Sequence, residues 1–299
     1  MKKENISAYL ALLLTFILWG SIYVVSSYAT NVYSPVVVAC VRYVVAMLPL
    51  SIMARGKLNI KIAREDIKDL LIVAVLGYYF TITINTVGIK LSGASMSSLI
   101  NSMVPVGVTL VAAKVLKEKI DLVRILCIAL AIAGTLIVVS GAKNDGQLWG
   151  VICMIIGLFT WSTASVFIKK LSAKYPPVVV TVYAIAISLL IHIPVTVVDV
   201  IRNGIVWDTG AALAVIYMGI FATGVTQYLW SKSLSVLEAG VCSMFYPLQP
   251  VFSVILGRIF LSEQLQPKFF IGAAIIAVNV IINCLWSEHK NRLAEKEKQ

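Results

Sequence analysis

The sequence predicts an all-α integral membrane protein of ten transmembrane helices, arranged as two inverted five-helix repeats. Three observations predict it. The composition is too apolar for water, ten apolar stretches are long enough to span a bilayer, and the chain repeats itself at a shift of 142 residues.

Of the 299 residues, 60% are apolar and 13% charged, and mean hydropathy is +0.93. A soluble domain carries about 25% charged residues. The net charge of +11 does not point to nucleic acid. Its basic residues lie in short segments between apolar stretches and form no stripe on a soluble domain. Cysteines 40, 127, 153, 242 and 284 fall inside apolar stretches without metal-ligand spacing, and read as small buried apolar side chains. No nucleic-acid partner, metal or cofactor is expected.

The elements follow in chain order. A helix needs about 20 apolar residues to cross the hydrocarbon layer. The basic start, Met1 to Asn5, leads into 8–28, which lacks a small-x-small cleavage site and reads as a retained first helix. Charged and turn-rich segments then separate 35–54, 67–88, 94–114 and 120–141. The second set is 148–169, 177–201, 209–230, 238–260 and 267–287. Residues 1–145 and 146–287 are the two repeats, and 288–299 are a charged tail. The connections are short, so successive helices pack as antiparallel neighbours.

Lys and Arg orient the chain. Lys90, Lys143, Arg202, Arg258 and Lys268 fall on one side, Arg42 lies within a span, and the other 19 of the 25 fall on the side of both termini. That bias predicts a multi-pass protein of the cytoplasmic membrane with both termini in the cytoplasm.

The repeat superposes Phe16-Ile17-Leu18-Trp19-Gly20-Ser21 on Leu158-Phe159-Thr160-Trp161-Ser162-Thr163. It pairs Pro35 with Pro177, Gly77 with Gly219, Thr81 with Thr223, Asn85 with Gln227 and Lys90 with Lys232. Beyond the eighth span a shift of 145 pairs Ala94 with Ala239, Pro105 with Pro250 and Glu118 with Glu263. Five is odd, so the second copy crosses the membrane in the opposite sense. Inverted repeats are a common plan for alternating-access carriers, with the site at midplane between the halves.

These features resemble the drug/metabolite transporter superfamily, specifically its ten-helix EamA type. The resemblance rests on Leu18-Trp19-Gly20-Ser21, on Arg42, and on the polar turn into Ala94-Ser95-Met96-Ser97-Ser98-Leu99-Ile100. It rests also on the two proline-bearing helices ending in Glu, Pro105 to Glu118 and Pro250 to Glu263. It implies a carrier of amino acids, other metabolites or drugs. It also implies that helices 1, 3, 4, 6, 8 and 9 line a central cavity, with 5 and 10 as scaffold.

Helical periodicity favours the same helices. Thr15, Trp19, Tyr23 and Ser26 share one face of the first. Tyr78, Thr81 and Asn85 do so in the third, and Thr223, Gln227 and Trp230 in the eighth. Asn101 and Pro105 align in the fourth, Tyr246 and Pro250 in the ninth, and the sixth carries Trp161 and Ser165. Buried amides in a membrane face protein or a wet cavity. As substrate groups we therefore mark Trp19, Tyr23, Tyr78, Thr81, Asn85, Asn101, Trp161, Ser165, Thr223, Gln227 and Tyr246. The competing role for each is glue between helices. Pro105, Pro247 and Pro250 are the expected hinges. Tyr9, Tyr28, Tyr33 and Trp149 sit near span ends as interfacial anchors. Glu118 and Glu263 read as hairpin residues able to cap the helix that follows each of them.

Arg42 binds a substrate carboxylate or serves structure; His192, in the seventh span, is likewise a charge partner or structural, and is assigned to structure. No Asp or Glu lies at mid-span, which disfavours proton coupling. The expected partners are a small-molecule substrate and the lipid bilayer, for a monomer or weak homodimer. The expected function is secondary transport of a small metabolite, an amino acid or related compound, by export or exchange. A proton-driven exporter of drugs or organic cations, and a non-transporting receptor or sensor, are the alternatives. No catalytic residues are expected.

Overall fold

The computed structural model describes residues 3–115, 121–140, 145–234, 245–246 and 248–296. These residues build ten helical passes, with no strand among them. In order they are α1 (Lys3–Ala29), α2 (Pro35–Met53), α3, α4, α5 (Leu122–Val139), α6 (Asp145–Ser172), α7 (Pro177–Asn203), α8, α9 (Leu248–Phe260 as described) and α10 (Pro267–Lys296). Three passes are composite. α3 joins Ile67–Ile72, a π-helical stretch Val73–Phe80, and Thr81–Ser92; α8 joins Thr209–Gly219, a π-helical stretch Ile220–Val225, and Thr226–Leu234. α4 breaks into Ala94–Asn101 and Val104–Val115. Six passes are long and apolar enough to cross a membrane by themselves, and the described parts of the others form shorter apolar helices. Leu122, Leu190 and Ile201 point outward with 70–77% of their surface exposed, which hydrocarbon tolerates and water would not.

Local chemistry sets the helix starts. Pro35 opens α2 behind Ser34, whose hydroxyl accepts from the Val37 amide. Asp121 and Asp208 cap α5 and α8 in the same way, accepting from the amides of Arg124 and Ala211. α4 breaks at Ser102 and Met103, immediately before Pro105, whose ring nitrogen has no proton to continue the ladder.

The packing obeys the repeat. Exchanging the halves maps α1 on α6, α2 on α7, α3 on α8, α4 on α9 and α5 on α10. Several of the observed contacts come in matching pairs: α1 with α8 and α6 with α3, α2 with α8 and α7 with α3, α1 with α9 and α6 with α4. The contacts α2–α7, α4–α9 and α5–α10 map onto themselves. Small residues allow the close crossings. A Cβ on Gly20 of α1 would lie 2.8 Å from Cβ of Phe252 in α9. At the matching place a Cβ on Gly107 of α4 would lie 2.4 Å from Oγ of Ser162 in α6. The small and large partners have changed sides. α5 and α10 meet at Gly134 and Gly272, each of whose Cβ positions falls within 3.2 Å of the other's carbonyl oxygen.

The ends are tied by polar clasps. At the end remote from the termini, here the far end, Tyr33 is buried and its hydroxyl donates to the Asp208 carbonyl at 2.9 Å while accepting from the Asp208 amide at 3.2 Å. At the near end, Tyr175 donates to the Asp66 carboxylate at 2.9 Å and accepts from the Ala63 amide at 3.0 Å. Tyr33 pairs with Tyr175 in the repeat, and Asp66 with Asp208, so the two clasps are one device used twice. Tyr33 is therefore no interfacial anchor, and only the structure brings it to Asp208. Tyr28 and Trp149 are exposed, whereas Tyr9 stacks near Phe245 at 6.3 Å.

Candidate functional site

The expected face of α1 is its buried one. Thr15, Tyr23 and Ser26 are buried and Trp19 half-buried. Tyr23 lies within electrostatic reach of Arg42, Asn101 and Tyr246, so residues of α1, α2, α4 and the segment before α9 converge around it.

Arg42 is the charge at this centre. Its Nε donates to Oγ1 of Thr223 in α8 at 2.7 Å. Its guanidinium carbon lies 6.0 Å from the centre of the Tyr43 ring. No carboxylate pairs with it among the described residues. Gly219 makes the approach possible, since a Cβ there would lie 2.8 Å from the Arg42 carbonyl oxygen and 2.7 Å from Val45.

The stripes expected on α3 and α8 are divided among different neighbours. A π turn holds more residues than an α turn, so a face drawn at 3.6 residues per turn does not continue through it. Tyr78 turns toward Tyr43 of α2 and Trp161 of α6, with ring centres 5.9 and 5.8 Å away. Thr81 pairs with Thr160 of α6 at 2.7 Å. Asn85 sits in the notch of α6 left by Gly157, where an added Cβ would overlap its Oδ1. In α8, Thr223 goes to Arg42, Gln227 is half-buried, and Trp230 joins Trp19 with ring centres 5.5 Å apart. Ser165 spends its hydroxyl on the Trp161 carbonyl of its own helix at 2.8 Å.

Trp19 and Tyr246 belong to a cluster of rings around Phe16, whose neighbours Trp19, Trp230, Phe245 and Tyr246 lie 5.3 to 6.1 Å away. His192 is fully buried between α2, α3 and α7. Its Nε2 meets the Thr83 hydroxyl at 3.2 Å and its Nδ1 the Ser188 carbonyl at 3.2 Å. Because a carbonyl only accepts, Nδ1 carries a proton. Sequence reasoning did not mark Gln249 and Ser253, one turn apart on α9, which are buried with Oε1 and Oγ lacking partners among the described residues. Unpartnered buried amides are the signal that finds such groups, and burial is not legible in an apolar helix.

Pro105 follows the α4 break, as a hinge would, and Pro250 lies in the first turn of the described α9. Pro247 and Glu118 lie outside the described residues. Glu263 does not cap the helix that follows it. Its carboxylate crosses to the other repeat and accepts from the amides of Ala94 and Ser95 at 2.8 and 3.2 Å and from the Ser95 hydroxyl. The reason is tertiary: the C-terminal end of α9 lies against the N-terminal end of α4. A cavity of about 220 Å³ opens beside it, with Glu263, Gln264, Gln266, Gln147 and Ser92 in its wall.

Known proteins agree with this architecture. The sequence profile of the EamA-like transporter family matches residues 6–140 and again residues 148–285. A transporter of Archaeoglobus fulgidus is 24% identical, across 92% of this chain and 97% of that one. A "probable amino-acid metabolite efflux pump" of Escherichia coli K12 is 24% identical, across 94% and 95% of the two chains. A solved crystal structure superposes with a TM-score of 0.66 over 95% of this chain and 98% of that one at 17% identity, a likeness of fold.

Proposed function

The chain belongs to the EamA-like transporter family, and on that premise we propose that it carries a small metabolite bearing a carboxylate, an amino acid or related compound. The carriage is by alternating access across the cytoplasmic membrane, as export or exchange, with both termini in the cytoplasm. The observation that carries this reading is Arg42: an intramembrane guanidinium bonded to one threonine hydroxyl, with no carboxylate partner among the described residues. Of its five donors one is spent, and a planar carboxylate is the group such a fork receives with two parallel bonds. Tyr23, Asn101 and Tyr246 supply hydroxyls and an amide for the rest of the molecule. The Escherichia coli relative described as an amino-acid metabolite pump favours the same chemistry. The α4 break and the two π-helical stretches favour bending of α3–α4 and α8–α9 as the moving step.

The test is flux into liposomes with labelled amino acids and their methyl esters, with and without a proton gradient. Charge-assisted hydrogen bonds contribute about 1.5–3 kcal/mol. Arg42→Gln is thus expected to raise KM about 10- to 100-fold for the acids and to leave the esters unchanged. Equal losses for acid and ester, or no loss for either, would overturn the carboxylate reading.

A further inference from the structure

Glu263 does more than a local cap does. Its carboxylate leaves the second repeat and seizes the first turn of Ala94–Asn101 in the first repeat, so the bond spans the seam between α9 and α4. Those donors stand at the positive end of a helix, where a carboxylate is bound best. Both helices leave room for it. A Cβ on Gly93, at φ +85°, would lie 2.9 Å from Oε1, and one on Gly257 would lie 2.8 Å from Oε2. The turn that presents it is strained: Ser262 has φ 53° and is the only non-glycine residue at positive φ among the described residues. Arg258 holds that turn by donating to the Glu263 carbonyl at 3.2 Å.

The tyrosine–aspartate clasps behave differently. They are repeat-related, and both are closed in this one conformation. The Glu263 contact belongs to neither clasp, and its repeat counterpart, Glu118 with Ala239, lies outside the described residues. The polar wall of the adjoining cavity, with Gln147, Gln264 and Gln266, offers the carboxylate polar surroundings when it lets go.

We propose that Glu263 is the latch of the far end: while its carboxylate holds the Ala94 and Ser95 amides the far side is shut, and opening toward that side requires its release. The proposal rests on the alternating-access reading, yet it can be tested without a substrate. Spin labels on Leu91 and Phe260, both exposed, report the separation of the α3–α4 hairpin from the end of α9, with the native cysteines replaced. The unaltered carrier is expected to show a dominant short-distance population beside a minor longer one. In Glu263→Gln, which keeps a carbonyl and loses the charge, the longer-distance fraction rises about tenfold, and Ser95→Ala gives a smaller rise. A distance distribution unchanged in Glu263→Gln that elutes and melts as the unaltered protein does overturns the latch. If Glu263→Gln does not fold, an unchanged distribution in Ser95→Ala overturns it equally. Shifted distances in a carrier that moves no substrate uphold the latch and overturn the transport reading alone.

Discussion

The seam where α6 meets α3 and α4 and the seam where α1 meets α8 and α9 occupy equivalent places, and their chemistry is opposite. In the first, backbone touches backbone. A Cβ on Gly150 would lie 2.6 Å from the Ser92 amide nitrogen and 2.9 Å from the Gly88 carbonyl oxygen. In the second, the repeat places Ala8 opposite Trp230 where Gly150 and Gly88 stand. Phe16, Phe245 and Tyr246 replace Leu158, Ile100 and Asn101. At this crossing one seam is closed by backbone contact and the other is filled by rings. A duplicated fold thus conserves where helices cross and leaves free how the crossing is filled. Where Gly150 crosses Gly88 and Ser92 no room is left for rearrangement, whereas the ring cluster around Phe16 can be reshaped by rotation of its aromatic side chains.

The largest expected effect breaks the glycine seam. Gly150→Val drives a branched side chain into backbone, and overpacking of that kind costs about 3 kcal/mol or more; loss of folded protein by size-exclusion chromatography checks it. The matching change in the ring seam, Ala8→Gly, costs only the helix propensity of glycine, about 1 kcal/mol, in a thermal melt. Equal losses at the two sites would remove the contrast.

The paired threonines sharpen it. Thr223→Val removes the acceptor of a guanidinium and leaves Nε unpaired, for about 2 kcal/mol. Thr81→Val removes a neutral bond to Thr160, for about 1 kcal/mol. Unfolding in denaturing detergent measures both, and the reverse order would show that Arg42 is held by something other than Thr223.

The smallest effect concerns the near-end clasp. Lys174 and Tyr175 donate to the Asp66 carboxylate and hold its pKa below the ordinary carboxylate range. Asp66 in turn raises the pKa of Lys174. A depressed carboxylate stabilises the fold above its unfolded value, about 3.9, and that gain is lost as pH falls through the lower folded value. A raised amine stabilises below about 10.4, and its gain is lost as pH rises through the folded value. The clasp therefore acts across the neutral range, and Asp66→Asn should flatten the acid limb of the melting profile. The far-end clasp bonds through the Asp208 backbone instead.

Much of this was legible from residues alone. Span length and charge spacing placed the ten passes, and the repeat pairs anticipated the matched packing. The period of α1 found its buried face, because that helix is regular from end to end. The candidate stripes on α3 and α8 were legible only up to the π-helical stretches, where the 3.6-residue period on which they were drawn fails. Pro105 forecast the break in α4, since a missing amide proton is a property of the residue itself.

The solvent, the number of passes and the twofold plan are written in the residues alone, because apolar length, charge and duplication act locally or through simple counting. Which groups meet is settled by folding: Arg42 with Thr223, Glu263 with Ala94 and Ser95, Tyr33 with Asp208. Each pair joins residues more than 160 positions apart, and repeat alignment names equivalent positions without saying across which seam they face. The crossing of backbones at glycines fixes those seams, and with them the chemistry at the centre.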